Sequence, residues 1–153
     1  MAAPRRSTAS DKHPRAGRPR QVTRQAARLA ALLERLPELA NRDRRLVWEG
    51  RFFSADLLLG IDGLQRLLSV REGRVTGFER GPLLMRSWCF AIRASAQAWS
   101  RFWQPVPAPG WHDLFALTKR GAASVEGELT PLMANLQYVK DLLALPRRLV
   151  KST

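Results

Sequence analysis

The stretch FSADLLLGIDGLQRLLSVREGRVTGFE (residues 53–79) decides the fold class of this chain of 153 residues. In its first part, apolar residues alternate with others, which is typical of a half-buried β-strand. Asp62-Gly63 and Glu72-Gly73 supply turn residues on either side of a second strand at about 66–71, and a third strand is expected over 74–79. The stretch therefore predicts three sequential strands joined by tight turns. The apolar positions of the first strand are Phe53, Ala55, Leu57, Leu59 and Ile61.

A helix is predicted upstream of this stretch. From Gln21, apolar residues recur at helical spacing, and we place an amphipathic helix over 21–41. It is expected to fade near Leu36-Pro37, because the residue before a proline is pushed out of the helical region. From Leu46 the apolar residues recur at every second position, which is typical of a β-strand. Residues 1–20 have no periodicity and contain prolines, glycine and six basic residues, so they predict a disordered basic arm.

Strands and short helices are predicted after residue 80. Ser95 provides the N-cap of one helix, and the three prolines of QPVPAPG (104–110) exclude a helix there. The complete pattern predicts an α+β fold, with a five-stranded, mainly antiparallel sheet covered on one face by helices. The remaining expected elements are a strand at 88–93, a helix at 111–120, a strand at 122–126 and a helix from Thr130-Pro131 to Pro146.

The chain carries a large positive charge. It has 26 lysine and arginine residues against 13 aspartate and glutamate residues, so its formal net charge is +13. The excess is greatest at the N-terminus, where a polybasic arm would bind phosphate backbones or anionic lipid surfaces by charge alone. One hypothesis is therefore an electrostatic adaptor for nucleic acid or an anionic membrane; a simple solvated tail is the alternative. Nothing after the arm resembles a base-reading module, which argues against nucleic acid. The candidate residues of the arm are Arg5, Arg6, Arg15, Arg18 and Arg20.

Residues suited to catalysis or metal binding are scarce. With one cysteine, Cys89, no intrachain disulfide is possible, and two histidines leave almost no ligands for zinc. No phosphate-binding loop, nucleophile elbow or metalloprotease motif occurs. The neighbours His112 and Asp113 diverge on a helix, and the carboxylates of Glu126 and Glu128 solubilise a turn. We therefore expect no enzymatic activity, no catalytic residue, no metal site and no cofactor.

Five tryptophans are a heavy aromatic load for one small domain. Three of them, Trp99, Trp103 and Trp111, flank the proline segment at 104–110. One interpretation is an ordinary core built from large side chains. The other is that two short helices roof an apolar cavity, with the proline segment as its rim, which would suit a hydrophobic ligand. Both interpretations are compatible with the pattern.

Three strings resemble the sterol carrier protein domain in its compact bacterial form. They are DLLLGIDGLQRLLSVREGRV (56–75), FAIRASAQAWSRFW (90–103) and VEGELTPLMANLQYVKDLLALP (125–146). In the last string, Gly127-Glu128 stands where many such domains end their final strand before a closing helix. On this resemblance we place a sterol-carrier-like lipid-binding domain at 44–146, followed by a C-terminal tail over 147–153.

The resemblance implies an apolar tunnel between sheet and helices. It also implies non-enzymatic binding or transfer of fatty acyl chains, acyl-CoA, sterols or other lipids. The expected partner is a hydrophobic small molecule, with peripheral contact to an anionic membrane and a lipid-metabolising enzyme as further candidates. Since neither a membrane-spanning stretch nor a secretory signal is found, we expect a cytoplasmic, bacterial protein. Candidates for the tunnel wall are Trp88, Phe90, Ile92, Trp99, Phe102, Trp103, Trp111, Leu114, Phe115, Leu136 and Val139.

Overall fold

A computed structural model describes residues 22–150 as an α+β structure. The helices are α1 (Arg24–Glu34), α2 (Leu36–Arg42), α3 (Arg44–Glu49), α4 (Ala96–Phe102), α5 (Leu114–Lys119), α6 (Thr130–Ala134) and α7 (Leu136–Ala144), with a 3₁₀ turn at Leu145–Arg148. The strands are β1 (Ala55–Ile61), β2 (Leu64–Arg71), β3 (Arg74–Arg80), β4 (Phe90–Ala94) and β5 (Ala123–Gly127). The predicted arm lies outside the described residues, and with it Arg5, Arg6, Arg15, Arg18 and Arg20.

The five strands form one sheet in the order β3-β2-β1-β4-β5. Neighbouring strands are antiparallel except β1 and β4, which pair in parallel. At the β2–β3 turn, Glu72 and Gly73 both have positive φ, 49° and 80°, which a type I′ hairpin turn requires. The prediction of a five-stranded, mainly antiparallel sheet is confirmed.

One face of the sheet forms the core with the helices. Leu57, Leu59 and Ile61 of β1 share the face predicted by the alternation and are fully buried against this helical layer, although β1 as a whole is not the half-buried strand expected. Phe53, just before β1, is fully buried as well and packs against Tyr138 of α7, with ring centroids 5.2 Å apart.

The outer face of the sheet is crossed by the chain. β3 and β4 are separated by β2 and β1, so residues 81–89 must pass over two strands. Arg86, within this crossover, pairs with Glu79 on the outer face at 2.8 Å. The middle of this face is accordingly buried, including Leu58 of β1, which the alternation had placed on the solvent side.

The helical region before the sheet differs from the prediction. In place of one helix over 21–41, α1 ends at Glu34 with Arg35 as its C-cap, and α2 starts with Pro37 in its first turn. Proline needs no backbone N–H at that position, so it begins a new helix there. The strand-like spacing expected from Leu46 was wrong, because Leu46 lies inside α3. Asp43 is the N-cap of that helix and accepts a hydrogen bond from the Leu46 N–H at 3.1 Å.

The later elements also differ in their bounds. β4 begins at Phe90, and α5 begins at Leu114 because Asp113 is its N-cap. The helix expected from Thr130 to Pro146 is divided at Asn135, whose φ and ψ of −128° and 37° are not helical. Residues 147–150, predicted as part of a tail, pack back on the domain: Arg147 donates hydrogen bonds to the carbonyls of Phe102 and His112.

Asp43→Ala is expected to lower the free energy of unfolding by about 1 kcal/mol at neutral pH, because α3 loses its cap. The Leu46 N–H, helped by Arg148, holds the pKa of Asp43 below its usual range. The wild-type advantage is therefore complete above the unfolded pKa of about 4 and declines as the pH falls through the lower folded pKa. Urea denaturation at neutral pH and at about pH 2.5 checks this. Asp43→Asn, which keeps a capping oxygen, is the control, and a pH-independent deficit in Asp43→Ala contradicts the prediction.

Candidate functional site

An apolar groove of about 440 Å³ opens between α1 and α4. Leu29 and Leu32 of α1 form one wall, Ser100 of α4 stands on the other side, and Trp103 lies at the base. A volume of this size falls within the range of small-molecule sites. The lining residues are Gln25, Arg28, Leu29, Leu32, Ser100, Trp103, Gln104 and Val150.

Beneath the groove, two tryptophans of the α4 region stack on each other. Ser95 starts α4 by accepting from the Ala98 N–H at 3.1 Å, and this helix turns Trp99 and then Trp103 inward. Their ring centroids lie 4.7 Å apart, with 21° between the planes. Each indole N–H has a partner: Trp99 donates to the Gly60 carbonyl at 2.8 Å and Trp103 to the Leu143 carbonyl at 2.7 Å. The stack is thus tied both to the sheet and to α7.

Most of the residues predicted for the tunnel wall lie together in the core. Their side chains are at most 2% exposed, and close aromatic packing fills the space beside them, as where Trp99 meets Phe102 at 5.7 Å between centroids. Trp111 and Leu136 are half-buried at the margin of this core. The buried members are Phe90, Ile92, Trp99, Phe102, Trp103, Leu114 and Val139.

Trp88 and Phe115 lie apart from this core. Trp88 precedes β4, and its ring centroid is 5.9 Å from the guanidinium carbon of Arg93, which pairs with Glu126 on the outer face of the sheet. Phe115 is 37% exposed on α5, with the Lys140 ammonium 5.2 Å from its ring centroid. A hydrophobic side chain in a predicted strand or helix does not by itself indicate the face on which it lies.

The contribution of α1 to the site is not apparent from the sequence. Residues 21–41 were predicted as a helix preceding the lipid-binding domain, yet Leu29 and Leu32 form a wall of the groove. Ala26 and Ala30 are small enough to bring α1 close to the core, where both are buried. The apolar stripe of this helix was a usable signal, because such a stripe must be covered by another element.

The proline segment at 104–110 was predicted as the rim of a cavity. It is irregular, and Val106 on it is 87% exposed. Next to it, Trp111 is held between Arg101 and Arg120, whose guanidinium carbons lie 4.7 and 4.6 Å from its ring centroid. The segment stands beside the groove through Gln104, whose side chain bonds to the Ser100 carbonyl at 3.1 Å.

A second cleft, of about 450 Å³, lies between α3 and α7 and is polar. It includes three carboxyl groups, those of Asp43, Glu49 and Asp141. Burial and the neighbouring Asp141 raise the pKa of Glu49. Arg45 and Arg148 line the same cleft. Its polar walls make it unsuitable for an apolar ligand.

The remaining chemical candidates have structural partners. Burial raises the pKa of the Cys89 thiol, which contacts the Glu128 carbonyl at 3.6 Å and is not activated as a nucleophile. Asp113 caps α5 and pairs with Lys140 at 2.7 Å. Within residues 22–150, no group of three or more histidine, cysteine, aspartate or glutamate side chains is arranged to hold a metal ion. In the same part of the chain, no helix has the length and apolar character needed to cross a membrane.

Comparisons with known proteins identify the fold. No protein-family model matches the chain, and no curated protein matches it. Among solved structures, it resembles sterol carrier protein 2, with 16% identity, 76% of this chain and 94% of that chain covered, and a TM-score of 0.62. A conserved hypothetical protein of Thermus thermophilus, described as possibly sterol carrier protein, is 14% identical, with 80% and 88% covered and a TM-score of 0.57. The UbiJ-SCP2 ubiquinone synthesis protein is 15% identical, with 78% and 96% covered and a TM-score of 0.51. The chain therefore has the sterol carrier protein 2 fold that its strings predicted.

Proposed function

We propose that the protein is a non-enzymatic carrier that binds a hydrophobic ligand between α1 and α4, above Trp103. The observation that carries this proposal is the apolar groove itself, which leads from the surface to the stacked indoles. The fold supports it, since sterol carrier proteins are named for this kind of cargo. Fold alone does not determine function, so the proposal rests on the groove and the residues that line it.

The energetics of the groove favour a long apolar ligand. Each methylene group removed from water contributes about 0.8 kcal/mol, so a 14-carbon chain supplies about 10 kcal/mol before the cost of ordering it. Arg28 and Gln25 stand at the edge of the groove, where a polar end of the ligand stays in water or pairs with the guanidinium. A fatty acyl chain or another amphipathic lipid therefore fits better than a wholly polar compound.

The proposed route of entry for the ligand is a displacement of α1. The stacked tryptophans bind α4 to the sheet and to α7, whereas α1 is joined to α2 at a single residue, Arg35. Two kinds of contact hold α1 in place: the packing of its apolar face and the ion pair of Glu34 with Arg80. We infer that α1 moves as a cover and that the groove deepens over the core residues predicted for the tunnel wall.

Native mass spectrometry of protein purified without detergent tests the proposal, followed by solvent extraction. We expect an added mass that is released as lipid, or uptake of a probe by ligand-free protein. The probes are a fluorescent fatty acid, a fluorescent sterol and, because one structural neighbour is a ubiquinone synthesis protein, a prenylated quinone. A ligand-free mass together with no uptake of any probe contradicts the proposal.

Leu32→Asp is expected to weaken binding of the fluorescent fatty acid by about tenfold or more, because a carboxylate then faces the apolar groove. Fluorescence titration measures the change in Kd. Val106→Asp is the matched control, since Val106 is exposed outside the groove and its variant should bind as the wild type does. Leu32 is only half-buried, so a thermal melt should confirm that the variant is folded. Equal affinity of the folded Leu32→Asp protein would place the ligand elsewhere.

A further inference from the structure

Two large aromatic side chains are exposed side by side at the end of α3, Trp48 in its last turn and Phe52 just after it. Trp48 is 66% exposed and Phe52 is 81% exposed. The guanidinium carbon of Arg51 lies 3.9 Å from the ring centroid of Trp48 and 4.6 Å from that of Phe52. Arg51 also donates a hydrogen bond to the Trp48 carbonyl at 2.8 Å. Scattered single apolar residues are normal on a surface, but this pair is held together by a shared cation.

The exposure of this pair follows from how the chain is anchored. Gly50 ends α3 against the ring of Tyr138, which leaves no room for a side chain there. Phe53 then turns into the core and is fully buried, which directs its neighbour Phe52 outward. The aromatic pair therefore stands on a rigid base and is available without rearrangement.

The charge around the pair is positive. Arg44 is exposed one helical turn before Trp48 and shares its side of α3. Within the described residues, neither Arg44 nor Arg51 is in an ion pair. Glu49, next to Trp48, is directed to Asp141 in the polar cleft, and Asp43, next to Arg44, pairs with Arg148 at 3.3 Å. We call Arg44, Trp48, Arg51 and Phe52 the aromatic–arginine patch.

We propose that the aromatic–arginine patch docks on the surface of an anionic membrane. Tryptophan and phenylalanine enter the region between headgroups and acyl chains, while arginines bind the lipid phosphates. The net charge of +13 draws the whole chain to such a surface. Arg51 lies against both rings, so a nucleic-acid base cannot stack between them, whereas insertion into a bilayer needs only their outer edges. This inference goes beyond the carrier function and does not depend on the groove.

Sedimentation with lipid vesicles tests the docking surface in the full chain. We expect binding to vesicles of phosphatidylcholine with phosphatidylglycerol and much weaker binding to phosphatidylcholine alone. Trp48→Ala with Phe52→Ala should weaken partitioning by about tenfold or more, and Arg44→Gln by about fivefold. The control is Leu84→Ala with Met85→Ala, which removes two other strongly exposed apolar side chains and should leave partitioning unchanged.

Quenching of tryptophan fluorescence by brominated lipid provides a direct contact readout. Trp48→Phe should still bind the vesicles but lose part of the quenching seen in the wild type. Equal partitioning of the Trp48→Ala, Phe52→Ala protein would overturn the proposal and assign any binding to charge elsewhere. Failure of the wild type to bind anionic vesicles would also overturn it. In that event, conversion of a dimer to a monomer by the same substitutions would assign the patch to a second copy of the chain. Fatty-acid binding is measured separately, so these results are distinguishable from failure of the carrier function.

Discussion

Trp103→Ala is expected to lower the free energy of unfolding by about 4 kcal/mol. The side chain is fully buried, stacks on Trp99 and donates to the Leu143 carbonyl at 2.7 Å. The substitution leaves a large cavity and an unpaired buried carbonyl, and it separates α4 from α7. Since a domain of this size has roughly 5–15 kcal/mol of stability in total, the loss is a large share of it.

Urea denaturation followed by far-ultraviolet circular dichroism measures this effect. Trp103→Phe is the control, because it retains an aromatic ring but not the N–H donor. Its expected loss is smaller, about 2 kcal/mol, from the unpaired carbonyl and the reduced volume. A loss below about 1 kcal/mol in Trp103→Ala would show that the indole contributes little to the core and would favour the interpretation of these tryptophans as the movable wall of a cavity.

Gly73→Ala is expected to destabilise the protein by about 3 kcal/mol or more. Gly73 has a φ of +80°, and a Cβ there would lie 2.5 Å from the Val47 carbonyl oxygen and 2.9 Å from that of Gly50. These are backbone atoms that cannot rotate away. The β2–β3 turn must then separate from α3, which also breaks the hydrogen bond from the Tyr138 hydroxyl to the Gly73 carbonyl.

The other hairpin turn supplies the matched control for this prediction. A Cβ on Gly63 would meet no atom within 4 Å, so Gly63→Ala should change the free energy of unfolding by about 0.5 kcal/mol or less. Chemical denaturation of the two variants in parallel measures the difference. Equal stability of the two variants would mean that the contact between the β2–β3 turn and α3 is not tight.

The strands could be predicted because their pattern is local. In β1 the period of two is visible in Leu57, Leu59 and Ile61, and the β2–β3 turn has glycine at a position of positive φ, Gly73. The helix α3 was missed because it has six residues and buries only Leu46, so it produces no stripe. Its one usable signal is Asp43, a good N-cap residue.

The site was less predictable because it depends on tertiary contacts. The aromatic residues of α4 that were predicted for a tunnel wall are buried in the core, whereas α1 contributes a wall of the groove from a helix distant in sequence. Trp88 shows the opposite failure, since it stands two residues before the core residue Phe90 and yet its ring lies near Arg93 on the outer face. Hydrophobicity predicts that a residue is buried and does not predict against which element.

The parallel pairing of β1 with β4 has a consequence for how the chain folds. The strands β1, β2 and β3 pair with their neighbours in sequence, so they can form as soon as they are synthesised. The strand β4 pairs with the other edge of β1, where Leu57 stands opposite Phe90. It can do so only after the crossover at 81–89 has formed. Until then the edge of β1 is open, and its run of leucines is a template for pairing with other chains. We therefore expect closure of the crossover at 81–89 to determine how long the edge of β1 stays open to other chains.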